Sequence, residues 1–347
     1  MKLDQQFWKN KRVLITGHTG FKGSWLSLFM QTLGSKVYGI SREEKEGIYI
    51  QANLKKIFEK EYFLDIGEKN NENLSKILEE INPDIVFHFA AQSLVYVAHT
   101  NPLDTLNSNV IGTYNILDSG QSASNLKSVI VATTDKVYKN SSIDNIESSE
   151  LGGTEFYSSS KVAAENVITA FANHELNYKI SVVRSGNVIG GGDRAEKRLV
   201  TELLHSLKSN KDFFLRKPKS IRPWQFVLDS IYGYILVAQE NYLKNISEIY
   251  NLNSDPNNKY DANYIARQFA LSWNSSINIL VEDIEKFKEV DILTINSSKA
   301  YKRLNWKPLI SIDELVELTV SWEKNYLHNN SSEFSTLQIR NYLNLVD

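Results

Sequence analysis

Short apolar runs alternate with longer stretches of helical period through the first half of the chain. Lys11–Thr16 (KRVLIT) runs into a glycine cluster, and Lys36–Ile40 follows it. Asp84–Ala91 (DIVFHFAA), Ser128–Thr133 (SVIVAT) and Ile180–Arg184 (ISVVR) have the same unbroken apolar character. Strands apolar on both faces are what a parallel sheet covered by helices requires. Between them the pattern predicts helices over Ser24–Leu33, Asn71–Glu80, Thr105–Ser119 and Ser159–Glu175. This alternation predicts an α/β fold with a doubly wound parallel sheet.

Beyond about Gly186 the alternation loosens. Helices are expected over Lys197–Ser209 and Asp229–Glu240, short strands over Asp212–Arg216 and Ile249–Asn253, and a last helix over Ile312–Leu327. The expected organisation is one dinucleotide-binding domain from 1–186 plus about 219–253. A smaller mixed α/β C-terminal substrate domain would take about 187–218 plus 254–347. The abundance of Asn, Lys, Ser and Ile reads as compositional, and no repeat or low-complexity tract is visible.

Composition narrows the function classes. The 347 residues are 42% hydrophobic and 23% charged, as in an ordinary globular protein, and suffice for about two domains. A formal net charge of −2 gives no support for a nucleic-acid or membrane-surface partner. Cysteine is absent, which removes disulfides, thiolate metal sites and cysteine nucleophiles. Met1–Arg12 is polar and charged, without the apolar centre of a signal peptide, so the cytoplasm is the expected location. His88, inside an apolar run, reads as a core or strand-end residue, and no metal-ligand spacing is present.

The glycine cluster is the first candidate site. Gly17, Gly20 and Gly23 directly follow one predicted strand and precede a helix. Glycine lets the backbone turn sharply and approach a pyrophosphate, and the helix start offers free N–H groups. Three glycines alone are weak evidence, but this placement favours a dinucleotide on a Rossmann-type sheet. At the end of the second strand, where an acidic residue would favour NAD, the chain has Ser41-Arg42. That pair suits a 2′-phosphate, so NADP stays open beside NAD.

Tyr157 and Lys161 supply chemistry to set beside such a cofactor. Residues four apart share a helix face, and an ammonium there favours the tyrosine anion. A tyrosine starts near pKa ~10, so it needs such help to act as a base at neutral pH.

Gly17 to Gly23, Asp65-Ile66, Ala90-Ala91, Asn109, Thr134 and the Tyr157/Lys161 pair together resemble the extended short-chain dehydrogenase/reductase family. The triplet Thr134-Asp135-Lys136, the run Arg184 to Asp193 and Ser220 to Gln225 look like its nucleotide-sugar 4,6-dehydratases, with a CDP-linked glucose as the first expected substrate. Relatives acting on dTDP-glucose carry Thr-Asp-Glu where this chain has Thr-Asp-Lys.

The resemblance implies NAD held by Gly17, Thr19, Gly20, Phe21, Gly23, Ser41, Arg42, Asp65, Ile66, Ala90, Ala91, Gln92, Asn109, Tyr157 and Lys161. It implies a sugar held by Gln92, Thr134, Asn187, Arg198 and Arg222. Tyr157 would take the proton of the sugar C4 hydroxyl as hydride leaves C4, with Lys161 lowering its pKa and Thr134 bonding the C4 oxygen. The ketone formed acidifies C5, Asp135 would protonate the departing C6 hydroxyl, and hydride would return to C6. For the C5 base, Lys136 stands where relatives have glutamate, and it would serve either as that base or as a cation stabilising the enolate. Four places depart from the family pattern: Arg194, Tyr96 and Phe156, where tryptophan, arginine and proline are usual, and the pair Ser41-Arg42 in place of an acidic residue. A dehydratase or epimerase of a GDP-, UDP- or dTDP-linked sugar, and a cofactor-binding sensor without turnover, are the alternatives. The family also implies a homodimer or homotetramer.

Overall fold

The structure is a computed structural model, and it describes residues 1–68, 72–140, 144–253, 260–281, 292–328 and 331–346. Among these residues the strands are β1 (Arg12–Thr16), β2 (Lys36–Ser41), β3 (Phe58–Phe63), β4 (Ile85–His88), β5 (Ser128–Thr134), β6 (Lys179–Ser185), β7 (Val188–Ile189), β8 (Phe213–Leu215), β9 (Gln225–Phe226), β10 (Ile249–Leu252) and β11 (Ile279–Val281). Seven of them form one parallel sheet in the order β10-β6-β5-β4-β1-β2-β3. The expected Rossmann-type architecture is present. β7 pairs with β9 and β8 with β11 as two small separate sheets on the C-terminal side.

Both faces of the sheet are buried, which is why its strands read as apolar runs. Val13, Ile15, Ile85, Phe87 and Ile130 point into one core with the helices Phe21–Thr32 and Val227–Lys244. Leu14, Val86, Val129 and Val131 point the other way, onto Glu72–Ile81, Gly112–Gly120 and Phe156–Ala172. The period of two along each strand thus feeds two cores.

Several expected boundaries shift. The first Rossmann helix begins at Phe21 rather than Ser24, so Phe21 and Lys22 belong to its first turn. The helix expected over Thr105–Ser119 is broken into Pro102–Leu106, a π-helical turn over Asn107–Ile111 and Gly112–Gly120. Asn71, the expected start of the next helix, lies outside the described residues, and that helix is described over Glu72–Ile81. β3 escapes the sequence pattern because it is an edge strand with charged residues at Glu59, Lys60 and Glu61. The helices Ala262–Trp273 and Ser331–Val346 are likewise additional to the expected set.

The asparagine abundance proves partly positional. Asn210, Asn245, Asn274 and Asn305 each terminate a helix with positive φ, between 47° and 60°. Asparagine tolerates that left-handed conformation better than other residues carrying a Cβ. His88 is buried, its ring nitrogens within hydrogen-bond reach of Thr16 (2.8 Å) and Thr113 (3.1 Å). Burial, then the charge of Lys161, bring its pKa down to about 3, so it stays neutral. Among the described residues no helix is long and apolar enough to cross a membrane, and no cluster of metal-binding side chains occurs.

Candidate active site

The carboxyl ends of parallel strands leave backbone and loops free to build a site, and the order of this sheet reverses direction between β1 and β4. Gly17 follows β1, Ser41 ends β2, Asp65 follows β3, Ala90 follows β4, and Thr134 and Ser185 close β5 and β6 in register. Together with the 186–202 segment they surround a cavity of about 1650 Å³. That exceeds the usual ~300–1,000 Å³ for one small ligand and leaves room for two.

The glycine loop is built for close approach. Gly17 has φ +72°, and a Cβ on it would stand 2.7 Å from the Ala90 amide nitrogen. A Cβ on Gly23 would stand 2.1 Å from the Gly17 carbonyl oxygen. Gly20 begins the helix Phe21–Thr32 without any side-chain cap, so its first N–H groups are left for a ligand. Thr19 accepts no role at the cap: its hydroxyl donates to the Glu43 carbonyl (2.8 Å), and its N–H donates to Ser41 Oγ (3.3 Å). Gly17, Thr19, Gly20, Phe21, Ser41, Arg42, Asp65, Ile66, Ala90 and Ala91 all line the cavity. This cradle fits the pyrophosphate and adenosine of a dinucleotide. Arg42 is held by two carboxylates, Asp104 at 3.2 Å and Asp65 at 3.6 Å.

Gln92 and Asn109 act one layer back. The Gln92 amide donates to the Leu94 carbonyl and to Thr105 Oγ1, both at 3.0 Å, and accepts from the Leu94 N–H at 2.6 Å. Asn109, on the π-helical turn, accepts from the Gln92 N–H (2.8 Å) and donates to the Gln92 carbonyl (3.0 Å) and Ser160 Oγ (2.8 Å). The pair ties the loop after β4 to the helix that carries Tyr157.

That helix, Phe156–Ala172, starts at a capping Glu155 whose carboxylate accepts the Tyr157 and Ser158 N–H groups at 2.7 Å each. The cap fixes the first turn, so Tyr157 and Lys161 share one buried face as their spacing predicts. The structure differs on their electrostatics. Burial pushes the Tyr157 hydroxyl up to about 12, with Thr134 and Arg198 pulling it down and Asp135 and Glu155 adding to the rise. Lys161 stands one turn further along the same buried face. Its ammonium donates to the Ala132 carbonyl (3.1 Å) and is itself brought down to about 8, by burial against the attraction of Glu165.

Thr134 closes β5 and caps the short turn Asp135–Val137, accepting the Lys136 N–H at 3.3 Å and donating to Asp135 Oδ1 at 3.0 Å. The other oxygen, Asp135 Oδ2, is buried without a hydrogen-bond partner. Burial raises the Asp135 pKa, against Lys136, Thr134 and Arg222, which lower it. A carboxyl held protonated has a proton to give, and an orphan buried oxygen is where a ligand group would meet it. Gly186 keeps this corner open, since a Cβ there would stand 3.0 Å from Asp135 Oδ2 and 2.3 Å from Pro223 Cγ.

The opposite wall is basic. Arg198 pairs with Asp193 at 2.8 Å and reaches Ser93 at 3.4 Å, Arg222 is buried and acts electrostatically on Asp135, and Asn187 lines the cavity beside them. Three positions that depart from the family pattern have partners or places of their own. Arg194 makes a forked ion pair with the buried Glu323 (2.7 and 2.9 Å). Tyr96 bonds Glu196 (3.1 Å) under the Lys197 ammonium, 3.9 Å from the ring centre. Phe156 stands exposed at the first position of its helix, a place that also accepts proline.

The family model for GDP-mannose 4,6 dehydratase matches residues 14–319 of this chain. The chain belongs to that family. It is 35% identical over 340 residues to the CDP-glucose 4,6-dehydratase of Salmonella typhimurium, covering 94% of each chain. Among solved structures it superposes on the UDP-glucose 4-epimerase of Thermotoga maritima, crystallised with UDP-glucose, with a TM-score of 0.80 at 21% identity, covering 91% of this chain and 99% of that one. The dTDP-glucose 4,6-dehydratase of Bacillus anthracis, in complex with NAD, matches with a TM-score of 0.76 at 20% identity, covering 91% and 97%. At these identities the two structures speak for the fold alone, a Rossmann-type parallel sheet flanked by helices.

In this dehydratase-family chain two site residues escape the sequence reading. Glu165, one turn beyond Lys161, accepts from Thr133 Oγ1 (2.7 Å) and from the buried Arg184 (Nε, 3.0 Å), so it ties the Tyr157 helix to β5 and β6 and holds a negative charge under Lys161. Its signal was the i+4 spacing from Lys161 together with a lone arginine in the apolar run of β6. The second is Lys22, the one acidic or basic residue between Gly17 and Gly23 apart from His18. Its place in the first turn, looking into the cavity, becomes visible only once the helix is known to start at Phe21.

Proposed function

We propose that this protein is an NAD-dependent nucleotide-sugar 4,6-dehydratase, a carbon–oxygen lyase that converts CDP-D-glucose to CDP-4-keto-6-deoxy-D-glucose. The observation that carries the reading is the buried, unpartnered Asp135 Oδ2 on the same turn as Thr134 and beside Tyr157. An epimerase has no leaving C6 hydroxyl and no need of an acid there. A sensor has no need of a buried reactive tyrosine.

NAD supplies a reversible hydride acceptor and returns what it takes, so nothing is consumed. Tyr157 accepts the C4 hydroxyl proton while Thr134 donates a hydrogen bond to the C4 oxygen. Lys161 positions the nicotinamide ribose and stabilises the Tyr157 anion. Asp135, whose pKa burial raises, delivers its proton to the C6 oxygen as water leaves. Arg198, Arg222 and Asn187 take the diphosphate and sugar, with guanidinium forks suited to phosphate oxygens. We assign the wall from 187–218 and 254–347 to the nucleotide sugar, although parts of the second segment lie outside the described residues. The two carboxylates on Arg42 oppose a 2′-phosphate, which favours NAD over NADP. The helices Gly112–Gly120 and Phe156–Ala172 pack side by side with Tyr114 exposed, and we propose that they form the contact of a homodimer or homotetramer.

Incubation with CDP-, dTDP-, UDP- and GDP-linked glucose is expected to give the alkaline absorbance of a 4-keto-6-deoxy sugar from the CDP form. Product from another nucleotide moves the substrate assignment, and product from none sinks the reading. For Lys136 we propose direct acid/base work at C5. Lys136→Met is expected to slow solvent-deuterium exchange at C5 by about 10²-fold. Exchange at the normal rate would end that role.

A further inference from the structure

Lys22 is a buried-facing cation that the reaction above does not use. It stands in the first turn of Phe21–Thr32, immediately after the glycine loop, and lines the cavity. Its Nζ donates to Tyr234 Oη at 3.1 Å and lies 5.0 Å from the Tyr234 ring centre and 5.7 Å from that of Phe89. Among the described residues no carboxylate stands within salt-bridge distance of it. The charged groups that act on it come from three other elements: Lys161 from the Tyr157 helix, Arg198 from the basic wall, and Asp135 from the turn after β5. Tyr234, its hydrogen-bond partner, in turn feels Tyr157. Lys22 therefore lies between the glycine loop and the Tyr157/Lys161 pair.

We propose that Lys22 sets the redox poise of the site: its ammonium makes the protein bind the reduced nicotinamide dinucleotide more tightly than the oxidised one. The proposal rests on the dinucleotide reading above. A dinucleotide with its pyrophosphate on the helix start and its ribose at Lys161 would run along the cavity wall that Lys22 lines. The oxidised nicotinamide ring carries a formal positive charge and the reduced ring carries none. A cation without a carboxylate partner in a low-dielectric wall penalises only the oxidised form. For a dehydratase this matters, because hydride must stay in the site while water leaves the sugar.

The charge on Lys22 is also poised to titrate. Burial, then Lys161 and Arg198, bring its pKa down to about 7 against the opposing pull of Asp135. The ammonium is present below that value and lost above it. The preference for the reduced form should therefore be strong near pH 6 and weaker near pH 8.

The test is binding, on the purified full chain freed of nucleotide. NAD+ is titrated by calorimetry and NADH by fluorescence, at low and high pH, for the wild type, Lys22→Met and Lys22→Arg. The wild-type preference for NADH is expected to exceed that of Lys22→Met by about tenfold at the lower pH. Lys22→Arg should keep the preference and lose its pH dependence. An affinity ratio unchanged in Lys22→Met overturns the proposal. If that variant does not fold, a wild-type ratio flat across the same pH range overturns it as well. A wild type that binds neither dinucleotide fails differently, because it removes the cofactor reading itself and this proposal with it.

Discussion

Tyr157→Phe is expected to lower kcat for CDP-glucose by about 10⁴-fold, at the upper end of what one general base contributes, with KM nearly unchanged. Phenylalanine keeps the ring in its buried place on the capped helix and removes only the hydroxyl. The effect amounts to about 5 kcal/mol of transition-state stabilisation. Burial above all, with Asp135 and Glu155, holds the Tyr157 hydroxyl up at about 12, so at neutral pH almost none of it is ionised without help. Arg198 and Thr134 already pull in the needed direction. A variant retaining a tenth of the activity, by the alkaline absorbance of the product, would show that another group takes the C4 proton.

Asp135→Asn is expected to separate the two halves of the reaction. The amide keeps the Thr134 contact and the shape of the turn, yet has no proton to give to a leaving hydroxyl. Oxidation at C4 should continue while loss of water slows by about 10³-fold, within the range for a lost general acid. The readout is a build-up of reduced nicotinamide absorbance on adding CDP-glucose, with little 4-keto-6-deoxy product. The pH profile gives a second check. Because burial raises the Asp135 pKa, the acid form and the activity that depends on it are present at low pH and are lost as pH rises through the folded value. That alkaline limb should vanish in Asp135→Asn. Normal turnover by the variant would remove Asp135 from the chemistry.

Much of the site was legible in the residues because it is encoded locally. The glycine loop needs glycine where a Cβ on Gly17 or Gly23 would meet backbone, and such positions announce themselves by spacing. The Tyr157/Lys161 pair follows from helical period alone. Ser41-Arg42 by itself leaves NADP open beside NAD, and it is Asp104 and Asp65 on Arg42 that weigh against a 2′-phosphate. Those carboxylates come from other turns of the chain, so no window around Arg42 contains the answer. β3 was missed for a related reason, since an edge strand keeps charges on its open side and shows no apolar run.

The sequence by itself determined the parallel sheet and most of its strands, the glycine loop and the Thr134-Asp135-Lys136 triplet. Each of these is a pattern of period, turn chemistry or residue type within a short stretch. The tertiary structure decided how those groups are charged and which of them is left open. It turned Tyr157 upward in pKa, left Asp135 Oδ2 without a partner, set Glu165 under Lys161, and brought Lys22 into the cavity with Lys161, Arg198 and Asp135 acting on it. Burial and charge at a site are sums over neighbours far apart in the chain, and only the folded packing brings those neighbours together.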